Sequence, residues 1–119
     1  MRILLDTNIL LLHLSETILA CAPPEADFYV SSITVAEAMR YPGLGNDAIQ
    51  ALSDLMSVMT ILSIDKSVAL RAGELGRTRA TRLPNLLIAA TAIEYGLPLI
   101  TKDLRGFKNI PGLSVRDSI

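Results

Sequence analysis

The chain opens on an apolar run, Ile3, Leu4 and Leu5, that stops at Asp6. A short continuous run without alternation fits a strand covered on both faces of a parallel sheet, which leaves Asp6 at the strand's carboxyl end. Thr7 to Leu14 stays apolar and predicts a helix, with Asp6 or Thr7 as its cap. Pro23 and Pro24 break the chain before a second short strand over Phe28 to Val30. Ser31 or Ser32 then starts a helix through Val35, Ala36 and Met39 toward Tyr41, ended by Pro42 and Gly43.

Between Asp47 and Met59, the residues Ile49, Leu52, Leu55, Met56 and Met59 recur at helical spacing, and the β-branched run Thr60 to Ile64 predicts a third strand. Asp65 caps a predicted helix over Lys66 to Thr81, with Val68, Ala72 and Leu75 facing inward and an arginine-rich end. Pro84 suits the first turn of another helix running through Glu94, and Gly96 and Pro98 supply its stop. Leu99 to Thr101 makes a fourth strand and Leu113 to Val115 a short fifth. This order predicts an α/β fold, a three-layer α/β/α sandwich with a mainly parallel central sheet. A length of 119 residues suits one domain over 1–119, with no internal repeat or linker.

Composition narrows the chemistry. Half of the residues are hydrophobic, yet no apolar run reaches the roughly 18 residues that span a bilayer. The longest candidate, Leu86 to Ile93, lies between Asn85 and Glu94 and reads as a helix buried in a core or against a partner. Asp6 interrupts the first apolar stretch and no small-residue cleavage pattern follows, so a cytoplasmic protein is expected. A lone Cys21 and a lone His13 exclude an internal disulfide and a zinc site of the Cys/His type, so any metal must be held by oxygen. His13 sits in a leucine-rich segment with no nucleophile motif nearby and reads as structural or surface. A net charge of −1 argues against a broadly basic face. If RNA binds, local arginines and a metal must attract it.

In open parallel sheets, ligands sit outside the carboxyl ends of strands. Asp6 follows the first predicted strand, Glu37 lies in the helix after the second, and Asp103 comes shortly after the fourth. Each has a plain reading alone: Asp6 as a cap, Glu37 with Thr34 as a capping box, Asp103 as a solvated turn residue. As a set they are harder to explain structurally, because two carboxylates about 5 Å apart repel by roughly 3 kcal/mol at an effective dielectric near 20. A divalent cation removes that penalty. Oxygen-only ligation with room for water and phosphate suits Mg²⁺ or Mn²⁺, and the matching chemistry is phosphodiester hydrolysis.

The opening LLDTNIL, the segment SSITVAEAMR, the block RLPNLLIAATAIEYGLPLITKDLRGF and the ending IPGLSV, in that order and spacing, resemble PIN domains, particularly the VapC toxins of bacterial toxin–antitoxin pairs. The resemblance runs from end to end. It implies an α/β/α sandwich whose acids, at four places, hold Mg²⁺ or Mn²⁺ for RNA cleavage. The first acid falls on Asp6, the second on Glu37 and the fourth on Asp103. At the third place this chain carries Asn85, which keeps a neutral oxygen and removes one negative charge. Asn85 reads as an inactivating exchange, as a natural variant, or as an ordinary helix-start residue.

By the same resemblance, Asn8 and Thr101 orient the carboxylates or else satisfy loop backbone, and a VapB-like antitoxin and a homodimer are the expected partners. Arg77, Arg79, Arg82, Lys102, Arg105 and Lys108 are candidate contacts to RNA phosphates, the alternative being a solvated helix end. With no Trp and only five Phe or Tyr residues, base stacking is expected to contribute little. Leu10 to Leu14 and the Leu52, Met56, Met59 stripe are candidate partner contacts, with core packing the commoner explanation. Two rivals remain. One is a non-catalytic PIN-like module that binds RNA or a protein, which Asn85 favours. The other is a phosphoacceptor receiver domain, which lacks its acidic pair here.

Overall fold

The computed structural model describes residues 1–119, apart from the side chain of Cys21. Its first strand, β1 (Arg2–Leu5), lies at the centre of a five-stranded sheet of order β3-β2-β1-β4-β5, formed with β2 (Asp27–Ser31), β3 (Thr60–Leu62), β4 (Leu99–Ile100) and β5 (Val115–Arg116). Every pairing is parallel, with Ile3 opposite Phe28 and Leu4 opposite both Tyr29 and Leu99. The apolar run at the amino end is explained by this central place. Alternate side chains point to opposite faces: Leu4 enters a core with Val68, Leu75, Ile88 and Leu99, while Ile3 and Leu5 enter a second core with Ile9, Leu10, Leu52 and Met56. Each fully buried Leu or Ile contributes about 1.5–3 kcal/mol.

The helices supply the two outer layers. On the face of Ile3 and Leu5 lie α1 (Thr7–Glu16) and α3 (Asn46–Ser57), with α2 (Ser32–Met39) beside them. On the other lie α4 (Lys66–Gly76) and α5 (Leu83–Tyr95), packed closely together. The caps follow the sequence. Asp6 Oδ1 accepts from Thr7 N–H, Ser31 Oγ from Ile33 N–H, and Asp65 Oδ1 from Val68 N–H. Pro84 lies in the first turn of α5, and Gly96 ends it at φ 65°, a left-handed conformation glycine adopts without strain. Because Ser31 caps α2, the Thr34 and Glu37 pair lies inside the helix and forms no capping box.

Several expectations are corrected. The helix predicted over Lys66 to Thr81 stops at Gly76, where a Cβ would stand 3.0 Å from Leu86 Cδ1 of α5. Gly76 thus leaves room for the Leu86 side chain, and the arginines beyond it lie in the α4–α5 loop. The third strand ends at Leu62, Met59 falls outside α3, and the fifth strand is Val115–Arg116. The stripe of Leu52, Met56 and Met59, with Leu10, is buried in the core; Leu11 and Leu14 pack partly against it. Among the described residues, no helix is long and apolar enough to cross a membrane.

Candidate functional site

Asp6 leaves β1, Glu37 stands on α2, Asn85 lies in the first turn of α5 and Asp103 follows β4, and all four line one cleft of about 360 Å³. The parallel sheet accounts for this meeting. Strands running the same way deliver their carboxyl ends, and the residues that follow them, to one edge. Thr7, Asn8, Arg40, Tyr41 and Arg82 share the same walls. A second cleft of about 620 Å³ adjoins it and is lined by Arg79, Arg105 and Lys108. The two have Arg82, Asn85 and Asp103 in common, so an acidic hollow opens directly into a basic one.

Hydrogen bonds hold the acids in place. The Thr101 hydroxyl, fully buried, donates to Asp6 Oδ2 at 2.7 Å and accepts from Asp103 N–H at 2.9 Å, so one side chain ties two acids together. Asp103 Oδ1 in turn accepts from Gly106 N–H at 3.0 Å. The Thr7 hydroxyl lies 2.7 Å from Glu37 Oε1 and donates to it, and it stands 3.2 Å from the buried Thr34 hydroxyl. Asn8 Oδ1 faces the Lys102 N–H at 3.5 Å and so addresses loop backbone.

The Asp6 carboxyl titrates above its ordinary value. Burial is the main cause. The Thr101 and Thr7 hydrogen bonds oppose it, and the charges of Glu37 and Asp103 add to the rise. The folded state therefore binds this proton more tightly than the unfolded chain. The resulting stability is complete below the unfolded value near 3.8 and is lost as pH climbs through the folded one. Asp6→Asn should flatten that decline in a pH series of urea midpoints without metal. Identical profiles for the two proteins would show that Asp6 carries no such strain.

Gly106 lies against the side-chain ends of Asp103 and Asn85. A Cβ built there would collide with Asp103 Oδ2 and come within 2.9 Å of Asn85 Nδ2. Both obstacles are side-chain ends, so Gly106→Ala should fold and displace the Asp103 carboxylate. The expected result is Mn²⁺ affinity about tenfold weaker or worse, by calorimetry, at an unchanged circular dichroism spectrum. Unaltered affinity would mean that Asp103 does not touch the ion.

The sequence model of the PIN domain family matches residues 3–113. This chain belongs to the PIN domain family. A chain in the structure of VapBC-1 from nontypeable Haemophilus influenzae is similar to this PIN domain, at 27% identity, with a TM-score of 0.82 and 98% of each chain covered. A chain in a toxin–antitoxin complex from Klebsiella pneumoniae is similar at 29% identity and TM-score 0.75, covering 98% of this chain and 99% of that one. FitAcB from Neisseria gonorrhoeae follows at 25% and 0.74, covering 97% and 96%. No curated protein matches in sequence.

Of the residues singled out in the sequence, Asp6, Glu37, Asn85, Asp103, Asn8 and Arg82 line the acidic cleft of this PIN domain, and Arg79 and Arg105 the basic one. Arg79 also has a structural task. It donates to the Leu75 carbonyl at 3.1 Å and the Asn109 carbonyl at 3.3 Å, closing the end of α4 against the loop beyond Phe107. Arg77 and Lys102 line neither cleft. Arg77 caps the end of α4, and Lys102 Nζ donates to the Asp117 carbonyl at 2.7 Å. His13 is structural, its Nδ1 accepting the Leu19 N–H at 3.1 Å. Sequence reasoning missed Thr7, Arg40 and Tyr41. Thr7 follows the first acid directly, and Arg40 lies three residues after Glu37, one helical turn on, so spacing alone was available to find them.

Among the described residues, no three His, Cys, Asp or Glu side chains converge on one point close enough to hold a metal ion. The acids ring the cleft instead. A divalent ion that keeps several waters needs only one or two carboxylates from the protein. The donors are all oxygen, and like charges already press on Asp6, so the residues present fit such an ion.

Proposed function

We propose that the chain is a VapC-type PIN domain, one domain over 1–119, that cleaves RNA phosphodiester bonds with Mg²⁺ or Mn²⁺, and that Asn85 leaves its activity weak or absent. The observation that carries this is the meeting of Asp6, Glu37, Asn85 and Asp103 around a single cleft that opens into a basic one. Asp6 and Asp103 would hold the ion directly, with Glu37 as a further ligand or as the group that orients the attacking water. When bound, the ion supplies an activated water and stabilises charge on the leaving oxygen. Thr101 and Thr7 fix the carboxylates, and Arg82, Arg105 and Lys108, which line the basic cleft, would hold phosphates on one side.

The likeness to chains of VapBC and toxin–antitoxin complexes supports a VapB-like antitoxin as partner, with the cytoplasm as the place of action. A homodimer is part of the same reading. Asn85 also favours a second one, a PIN domain that binds RNA or a protein without cutting. The test is Mn²⁺-dependent cleavage of a broad RNA pool by the protein carrying Asn85→Asp. Cleavage that vanishes on adding Asp103→Asn fits the nuclease reading; no cleavage under any divalent ion sinks it.

A further inference from the structure

The loop that carries Asp103 is held on its inner side by the buried Thr101 hydroxyl, but it is open to solvent at Lys102, Asp103 and Leu104. On that outer side it meets the segment that follows β5. The pairing of β4 with β5 continues one residue beyond Ile100, because Thr101 N–H donates to the Arg116 carbonyl at 3.0 Å. The contact then passes to side chains. Lys102 Nζ donates to the Asp117 carbonyl at 2.7 Å, while the Lys102 N–H faces Asn8 Oδ1 of α1 at 3.5 Å. Asp117, Ser118 and Ile119 in turn line a small cleft of about 180 Å³ together with Ile9, Leu19 and Ile100. Those last three belong to the buried core, so the cleft is a notch in the rim of that core, with Ile119 on it at 39% exposure.

We propose that residues 117–119 form a strap that fixes Asp103, seated on the apolar notch by Ile119 and fastened to the loop by Lys102, which makes Lys102 a positioning residue. This rests on the reading of Asp103 as a metal ligand and adds what holds that ligand from outside. A lysine on an open surface ordinarily keeps its ammonium in water and its stem free to move. Here the ammonium is spent on a main-chain carbonyl, which points to a holding role. Lys102 directly precedes Asp103, so any freedom of its backbone is passed to the carboxylate's own Cα. Contact with RNA phosphates is the weaker role for Lys102, because it lines neither the acidic nor the basic cleft and its ammonium already has a partner. The apolar seat matters equally. Without Ile119 against the notch, the Asp117 carbonyl is no firmer than the lysine that reaches for it.

The experiment measures amide hydrogen exchange at Asp103 by NMR in EDTA, and Mn²⁺ affinity by calorimetry, on the full chain. Lys102→Met keeps most of the stem and removes the ammonium. It should speed exchange of the Asp103 N–H about tenfold and weaken Mn²⁺ binding about fivefold, with the melting temperature nearly unchanged because the bond is exposed. Lys102→Arg should recover most of both. Ile119→Ser should act in the same direction, and the pair Lys102→Met with Ile119→Ser should do no more than the larger single change, since either one releases the same strap. Unchanged Asp103 exchange in Lys102→Met, effects that multiply in the pair, or faster exchange at unaltered Mn²⁺ affinity would each overturn the proposal. Asp103→Asn is titrated with Mn²⁺ alongside. Equal binding by it and the parent defeats the reading of Asp103 as a ligand, and the exchange rates then still decide whether the strap holds the loop.

Discussion

Asn85→Asp is expected to raise Mn²⁺-dependent RNA cleavage on the order of a hundredfold or more over the protein as it stands. Even residues that merely support a metal ligand change activity by about ten- to a hundredfold, and on the proposed reading residue 85 would touch the ion itself. Asn and Asp differ little in size, so the cleft keeps its shape and the gain comes from charge. The same substitution should reduce stability without metal. Asn85 and Asp103 both crowd the space above Gly106, and a second carboxylate there faces a repulsion of roughly 1 kcal/mol once solvent screening is allowed for. The melting temperature should fall by about 4 °C in EDTA and recover beyond its starting value in Mn²⁺. Melting curves that ignore both the substitution and the ion would place residue 85 outside the acid cluster.

Thr101→Val carries the largest expected cost in stability. The Thr101 hydroxyl joins Asp6 to the Asp103 backbone at a point with no solvent exposure. Valine keeps the shape and removes both bonds, one of them to a carboxylate. A hydrogen bond to a charged group is worth about 1.5–3 kcal/mol, and stranding the buried partners adds to the loss. We expect about 3 kcal/mol in all, a melting temperature about 10 °C lower, and an Asp6 carboxyl raised further because one of the bonds lowering it is gone. Thr101→Ser should recover most of the stability. A valine variant that melts with the parent would mean that the bridge contributes nothing.

The sequence was most informative where local chemistry decides the outcome. The run Ile3 to Leu5 announced a buried strand with Asp6 at its end, and Pro84 and Gly96 bracketed α5, because apolar burial and backbone restriction act over a few residues. It was least informative where distant elements meet. The helix over Lys66 to Thr81 looked continuous because nothing before Thr81 breaks it outright, yet it ends at Gly76, beside Leu86 of α5. The shift mattered for the site, since it carries Arg79 off a helix and into the wall of a cleft. The Thr7–Glu37 bond and the placing of Tyr41 depend on how α1 and α2 face one another, which no spacing within either helix encodes.

Asp6 is at once the cap of α1 and a wall of the cleft. Exchanging it for a residue that cannot cap removes a carboxylate from the cleft and a support from α1 together. Residue 85 begins a helix whose first turn is already set by Pro84 and which takes no side-chain cap. On the proposed reading, drift toward a silent enzyme is therefore cheaper at residue 85 than at Asp6, because no cap is lost with it.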